Sequence, residues 1–480
     1  MSNTGFRFTK IITTLGPATD TYERIKGVFE NGSSIARLNF SHDTGEIQKA
    51  KFDIVKRVEK ELGRKIPVFA DLQGPKLRVG VFASEPQILE NGQEFTVDSN
   101  PEPGDNTRVQ LPNLAILEAL DVGHKILVDD GKISLEVIEK GKDFCKTRVI
   151  VGGPIKNKKG FNLPDTIVPL PILTEKDLED MEYAINVMGV DAVAVSFAQT
   201  PDDLRKARDA IAGRVPMIVK VEKPTAALDY VEEIIELSDI VMIARGDMAV
   251  EVGSEHVPMI QKNMIRIARD KRKPIIVATQ MLESMIDGTF PTRAEVTDVS
   301  NAVYECTDCT MLSAESASGK YPLEATSMMD KIIRASEGDP NYHKYISEFT
   351  CELSNSTHQG DAVAKAATDI ANKVAAKAIV TFTTSGSSAI NISKHRPNMP
   401  IVAITDSEKV AGRVGFCWGV VPTVNATGGE KLDDIACKIV RDLGIATENS
   451  LIVVTFGKGT DGAKAMFKNP AATIISVIKV

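Results

Sequence analysis

The stretch Ile240-Val-Met-Ile-Ala-Arg-Gly-Asp247 is an apolar run that stops abruptly at Arg-Gly-Asp. A strand buried on both faces reads this way when its C-terminal end opens into a site. Upstream, Met217-Ile-Val-Lys-Val-Glu222 has the same form. Lys220 and Glu222 stand two apart there, so in a strand both side chains point to one face. The carboxylates Glu222 and Asp247, with a lysine at a neighbouring strand end, can hold Mg²⁺ beside an anionic substrate. An ion-pair network at a strand-end rim, with Lys220 and Arg245 as partners, is the plainer alternative.

Outward from this pair the plan repeats. Lys10–Leu15, Ser34–Ser41 and Ile66–Asp71 read as strands before it. The second carries Arg37, Asn39 and Ser41 on one face, and the third ends on a carboxylate. Asp191–Phe197, Pro274–Gln280 and Cys309–Glu315 complete a set of eight. Helical patterns separate them, among them Thr44–Leu62, with Ile47, Ile54, Val55, Val58 and Leu62 as its apolar stripe and Gly63 as its stop. Thr174-Glu-Lys-Asp177 starts another as a capping box. Eight βα units imply a (β/α)₈ TIM barrel with its active site at the strand C-termini. An open doubly wound sheet is the alternative, and polar ends on nearly every strand favour closure.

Between about residues 74 and 166 the rhythm breaks into short β-rich runs with Gly, Pro and Asp-Gly turns. An all-β domain inserted in one βα loop is expected, splitting the barrel into residues 1–73 and 167–344. Residues 345–480 then read as a C-terminal three-layer α/β domain with a mostly parallel sheet.

Composition narrows the class. Of 480 residues 43% are hydrophobic and 25% charged, as in a globular protein of several domains. A net charge of -8 argues against a nucleic-acid partner. No membrane span or signal peptide is evident, so a cytoplasmic protein is expected. The cysteines are scattered, and Cys306 and Cys309 lack a second pair at zinc spacing, so buried reduced thiols are expected.

Arg37, Asn39, Asp71, Lys220, Thr279, Gln280 and Glu315 all fall at the same rim, which shifts the balance from an ion-pair network to catalysis. The chain resembles a pyruvate kinase over nearly its whole length. The stretches that carry this are Lys10–Thr19, Ala36–His42, Asp71-Leu-Gln-Gly-Pro-Lys76, Lys158-Lys-Gly160, Ile218–Glu222, Met242–Asp247, Ala278–Ser284, Pro291–Glu295 and Met311–Glu315. The resemblance implies phosphoryl transfer from phosphoenolpyruvate to ADP, giving pyruvate and ATP. It implies Mg²⁺ or Mn²⁺ on Glu222 and Asp247, with Lys220 and Arg37 acting on the moving phosphoryl group. Gly246, Asp247 and Thr279 would hold the substrate carboxylate, and Thr279 and Glu315 would serve the proton step. Asn39, His42, Arg78 and Lys159 match nucleotide-side positions, and the insert would be a lid hinged near Pro75 and Pro164. A homotetramer is implied by the resemblance alone.

Two departures from the family pattern matter. K⁺-requiring members carry glutamate where Lys76 stands, and their cation lies by residues matching Asn39, Ser41, Asp71 and the Leu72 carbonyl. Lys76 is expected to replace it, removing the K⁺ requirement. In the C-terminal part, Thr383-Thr-Ser-Gly-Ser-Ser388 reads by itself first as a capped helix after a tight turn, and the resemblance raises the alternative of a cradle for an effector phosphate. Thr384 and Ser387 stand there in place of an acidic residue and an arginine, which favours a sugar monophosphate or AMP as effector. Gly457–Gly462 could close over it. Two rival functions share these features: a Mg²⁺-dependent lyase or aldolase, and a non-catalytic sugar-phosphate sensor. Arg78, Lys159 and the lid speak against the first, and the intact Lys220, Glu222 and Asp247 against the second.

Overall fold

The computed structural model describes residues 5–351, 359–425, 431–457 and 473–480. Eight parallel strands close into a barrel: Lys10–Leu15, Ile35–Asn39, Val68–Asp71, Ala192–Val195, Met217–Val221, Ile240–Ala244, Ile275–Ala278 and Cys309–Leu312. They run around the barrel in sequence order, the first pairing with the last. Their side chains alternate between two cores. Ile12, Ile35, Phe69, Ile218, Met242 and Ile276 fill the interior, while Ile11, Leu38, Val219, Val241 and Val277 pack outward against the helices.

Two boundaries and one buried face differ from the sequence reading, each for a local reason. The strand from Ile240 ends at Ala244, and Arg245–Val252 is a helix, so Asp247 lies in a first helical turn. Glu315 likewise lies in the short helix Ala314–Ala317 rather than on a strand tip. On the helix Gly45–Leu62, Ile47 is exposed. Gln48 and Lys51 are buried in its place because Gln48 Nε2 donates to the Asn39 carbonyl at 2.7 Å and Lys51 Nζ pairs with Asp43.

The interrupting segment contains a six-stranded sheet and a two-stranded one around their own core. It also holds the helix Leu114–Ala119, capped by Asn113, so it is not all β. Gly74 makes the entry turn at a φ of +69°, where a Cβ would come within 2.9 Å of the Ser196 side chain. Beyond the barrel, Pro340–Cys351 and Gln359–Lys373 are helices. A five-stranded sheet follows, parallel except for the added strand Thr473–Lys479, with an apolar core on each face. Phe416, from the chain segment beside this sheet, enters the barrel interior and lies 6.0 Å from Phe69. Cys145, Cys306, Cys309 and Cys417 are buried free thiols, as the sequence suggested for the 306/309 pair.

Candidate active site

At the C-terminal mouth of the barrel the inward polar side chains form one network. Arg37 Nε donates to Asp71 Oδ2 at 2.7 Å, and its Nη1 to Thr14 Oγ1 at 2.9 Å. Lys220 Nζ lies 2.9 Å from Glu222 Oε1, 3.6 Å from Asp71 Oδ1 and 2.9 Å from Ser196 Oγ. Ser196 in turn donates to the Leu72 carbonyl. Thr14 and Ser196 were not singled out in the sequence. A hydroxyl at a strand end was the only signal, and it is too common to stand alone.

The charges are unevenly matched. Burial by itself would raise the Asp71 carboxyl, but Lys220 and Arg37 outweigh it and bring the group below its ordinary range. Burial would also lower the Lys220 ammonium, yet Asp71 and Glu222 hold it above its ordinary value. Glu222 goes the other way. It is fully buried and faces the Asp247 charge, and despite Lys220 its pKa is pushed up to about 7.

Glu222 stays raised because it shares its one ammonium with Asp71. Its Oε2 accepts from Phe197 N–H, while its Oε1, although close to Lys220, has no hydrogen bond of good geometry.

A buried carboxylate oxygen without a hydrogen-bond donor has the chemistry to take a cation. Among the described residues no three His, Cys, Asp or Glu side chains converge into a ready cage. Glu222 and Asp247 have the oxygen chemistry a hard divalent cation takes. Lys76 Nζ reaches Asp247 Oδ1 at 3.6 Å. Its ion-pair partner is thus Asp247, while Asp71, one of the residues of the expected monovalent-cation position, is paired with Arg37 and Lys220.

The backbone at Thr279 and Gln280 is held under strain. Thr279 has a φ of +71° and Gln280 of +53°, the former a costly conformation for a β-branched residue. Arg245 maintains it from behind, donating to the Ala278 and Thr279 carbonyls while paired with Asp298 at 2.7 Å. Gly246 N–H donates to Thr279 Oγ1 at 2.8 Å, and that hydroxyl donates to the Ala278 carbonyl. Glu315 accepts from the N–H groups of Leu282 and Ser313. It ties the segment after Thr279 to the last strand, and burial raises its pKa.

The outer side is more open. Asn39 Oδ1 accepts from Ser41 N–H, and His42 and Arg78 are exposed. Arg78 donates to the Lys158 carbonyl, and Lys159 Nζ pairs with Asp129 at 2.8 Å.

In the C-terminal sheet, Thr383 Oγ1 accepts from Gly386 N–H and Ser385 hydrogen-bonds Ser387 ahead of the helix Ser387–Lys394. Thr384, Ser385 and Ser387 are exposed. Ser385 also borders a cleft of about 300 Å³ that Arg208, Arg214, Lys409, Arg413 and Asp239 line. Of residues 457–462, the loop expected to close over an effector, 458–462 lie outside the described residues.

Comparison with known proteins agrees with this arrangement. Residues 6–326 match the family model for the pyruvate kinase barrel domain, and residues 361–468 that for the pyruvate kinase alpha/beta domain. A pyruvate kinase of Methylorubrum extorquens is 44% identical, covering 91% of this chain and 90% of that one. One of Agrobacterium vitis is 40% identical over 94% and 95%. The crystal structure of a pyruvate kinase from Cryptosporidium parvum superposes with a TM-score of 0.91 at 29% identity, covering 98% of this chain and 96% of that one.

Proposed function

The chain belongs to the pyruvate kinase family, and on that premise we propose how its residues move the phosphoryl group of phosphoenolpyruvate to ADP. The observation that carries the reading is the Arg37–Asp71–Lys220–Glu222 network at the mouth of a closed barrel. Glu222 and Asp247 would hold a Mg²⁺ or Mn²⁺ ion, which would supply positive charge to the substrate and transferring oxygens. Lys220, kept charged by its carboxylates, lies over the moving group, and Arg37 clamps it from the neighbouring strand. Both are fixed before substrate arrives, so little reorganisation is needed as charge shifts.

The substrate carboxylate takes the N–H groups of Gly246 and Asp247. Gly246 N–H must leave Thr279 Oγ1 for this, and the hydroxyl, which donates to the Ala278 carbonyl, must turn from that carbonyl to serve the enolate carbon. Transfer breaks the bond from phosphorus to the enol oxygen and forms one to a β-phosphate oxygen of ADP. A proton then adds to the enolate methylene carbon from the Thr279 side, with Glu315 holding that segment in place. Asn39, His42, Arg78 and Lys159 bind the nucleotide, whose phosphates displace Asp129 from Lys159. Residues 74–166 act as the lid between barrel segments 1–73 and 167–344, turning at Pro75 and Pro164 and excluding water.

The same reading makes the enzyme a cytoplasmic homotetramer; among the described residues no helix is long and apolar enough to cross a membrane. Residues 345–480 bind the effector. A phosphorylated metabolite of sugar-monophosphate or AMP type sits at Thr383, Thr384, Ser385, Gly386, Ser387 and Ser388 and activates the enzyme. The cationic cleft beside Ser385 supports an anionic ligand there.

Pyruvate formation from phosphoenolpyruvate, with and without ADP, tests the assignment. Strict dependence on ADP is expected. Turnover without ADP would point to a lyase, and no turnover at all to a sensor. In Lys220→Met, transfer should fall by on the order of 10²–10³ or more, while proton exchange at the pyruvate methyl survives. Equal loss of both would remove Lys220 from the transfer step.

A further inference from the structure

We infer that Glu251, with Lys223 and Asn162, is a positioning bracket that fixes the two metal carboxylates relative to each other and ties them to the joint of the inserted domain. Glu251 follows Asp247 by four residues on the helix Arg245–Val252, so both lie on one face of it. Lys223 directly follows Glu222. Lys223 Nζ and Asn162 Nδ2 both reach the same oxygen, Glu251 Oε1, each at 2.9 Å. Lys223 Nζ also donates to the Leu163 carbonyl at 3.1 Å. The Lys223 and Glu251 side chains are only 7% and 2% exposed.

One buried oxygen therefore joins three elements: the helix bearing Asp247, the turn bearing Glu222, and Phe161–Asn162. The last of these pairs with Leu127 and Val128 in the insert's sheet and is where the insert's chain returns to the barrel. Pinning Glu251 sets the rotation of its helix about its own axis, and with it the direction of Asp247.

The bracket also has somewhere to move. A cavity of about 30 Å³ lies beside it, bounded by Pro75 and Leu77 at the entry joint, Phe161 at the return joint, and Phe197, whose N–H holds Glu222. Glu251 Oε2 is buried with no hydrogen-bond partner. The carboxylate is thus anchored through one oxygen only, as a part that shifts with the joint would be. None of the three side chains needs to touch substrate, so they act through Glu222 and Asp247.

This inference rests on Glu222 and Asp247 being the metal ligands, and Mn²⁺ binding to the free full-length enzyme, followed by electron paramagnetic resonance, separates the two. Wild type that binds no Mn²⁺ overturns the ligand assignment and the bracket with it. If wild type binds, Glu251→Gln should bind about tenfold more weakly, as loss of a group that orients a metal ligand does. Affinity in Glu251→Gln equal to wild type overturns the bracket alone.

The double variant Lys223→Met/Glu251→Met guards against misfolding, because an apolar pair often replaces a buried ion pair without loss of stability. It should bind Mn²⁺ as weakly as Glu251→Gln. Recovery of wild-type affinity would mean that net charge, not position, mattered, and would overturn the proposal. Asn162→Ala should keep Mn²⁺ affinity but speed amide hydrogen exchange at Phe161–Leu163, and unchanged exchange there removes the link to the joint.

Discussion

Lys76 shows how far one residue identity carries. A tethered ammonium stands within 3.6 Å of Asp247, and the Leu72 carbonyl and Asn39 Oδ1 already accept hydrogen bonds from protein donors. A K⁺ ion about 4 Å from that ammonium would be repelled by about 4 kcal/mol at an effective dielectric near 20. The enzyme should therefore be active in tetramethylammonium salts, and Lys76→Glu should create a K⁺ requirement. Near silence of the wild type without K⁺, at matched ionic strength, would refute this.

Glu222 gives a second prediction at this scale, with a sign. Its pKa rises from an ordinary 4.5 to about 7 on folding, so between those values the folded state holds a proton that the unfolded state has lost. Metal-free stability should fall as pH rises through that window and then level off. Above pH 7, Glu222→Gln should be more stable than wild type by on the order of 3 kcal/mol, a difference that vanishes near pH 4.5. Denaturant titrations in chelator at both pH values measure it. In wild type, Mn²⁺ should bind more tightly as pH rises toward 7 and release a proton below it.

At the scale of elements, the strands were legible because each is an apolar run closed by polar residues. What they hand over to was not. Arg245-Gly-Asp247 reads as a strand tip, yet tertiary contacts of Arg245 with Asp298 and the Thr279 carbonyl start a helix there. Gln48 and Lys51 took buried places on their helix because Asn39 and Asp43, in the strand end and loop just before it, satisfy them, which no periodicity reveals. The Thr383–Ser388 loop is the opposite case: its hydroxyls and helix start were plain, and the cations across the cleft were not. Activation by a phosphorylated effector, read as a lower apparent KM for phosphoenolpyruvate, should disappear in Ser385→Asp, since the added carboxylate repels phosphate. Activation that survives would place the effector elsewhere.

For the whole molecule, three bodies and their order could be read from the sequence, but not how the last one seats on the first. That contact is made by residues with no motif. Phe416 closes the barrel interior against Phe69, and Cys309 Sγ donates to the Phe416 carbonyl. Around it, Asp308 takes Arg396 Nη1 and Trp418 N–H, and Trp418 stacks on Phe8 at 4.5 Å. The barrel's floor is thus built by the C-terminal part of the chain, while its catalytic rim lies at the opposite, C-terminal ends of the strands. Phe416→Ala removes a fully buried aromatic from a core that cannot collapse around the gap, because closed strands surround it. The expected loss is about 3–5 kcal/mol in a denaturant titration. Since Phe416 packs against Phe69 and Cys309 at the end of the barrel opposite the rim, kcat per folded molecule in the absence of effector should stay close to wild type. A loss of kcat as large as that of Lys220→Met, in a variant shown to be folded, would mean that the floor and the rim are one cooperative unit.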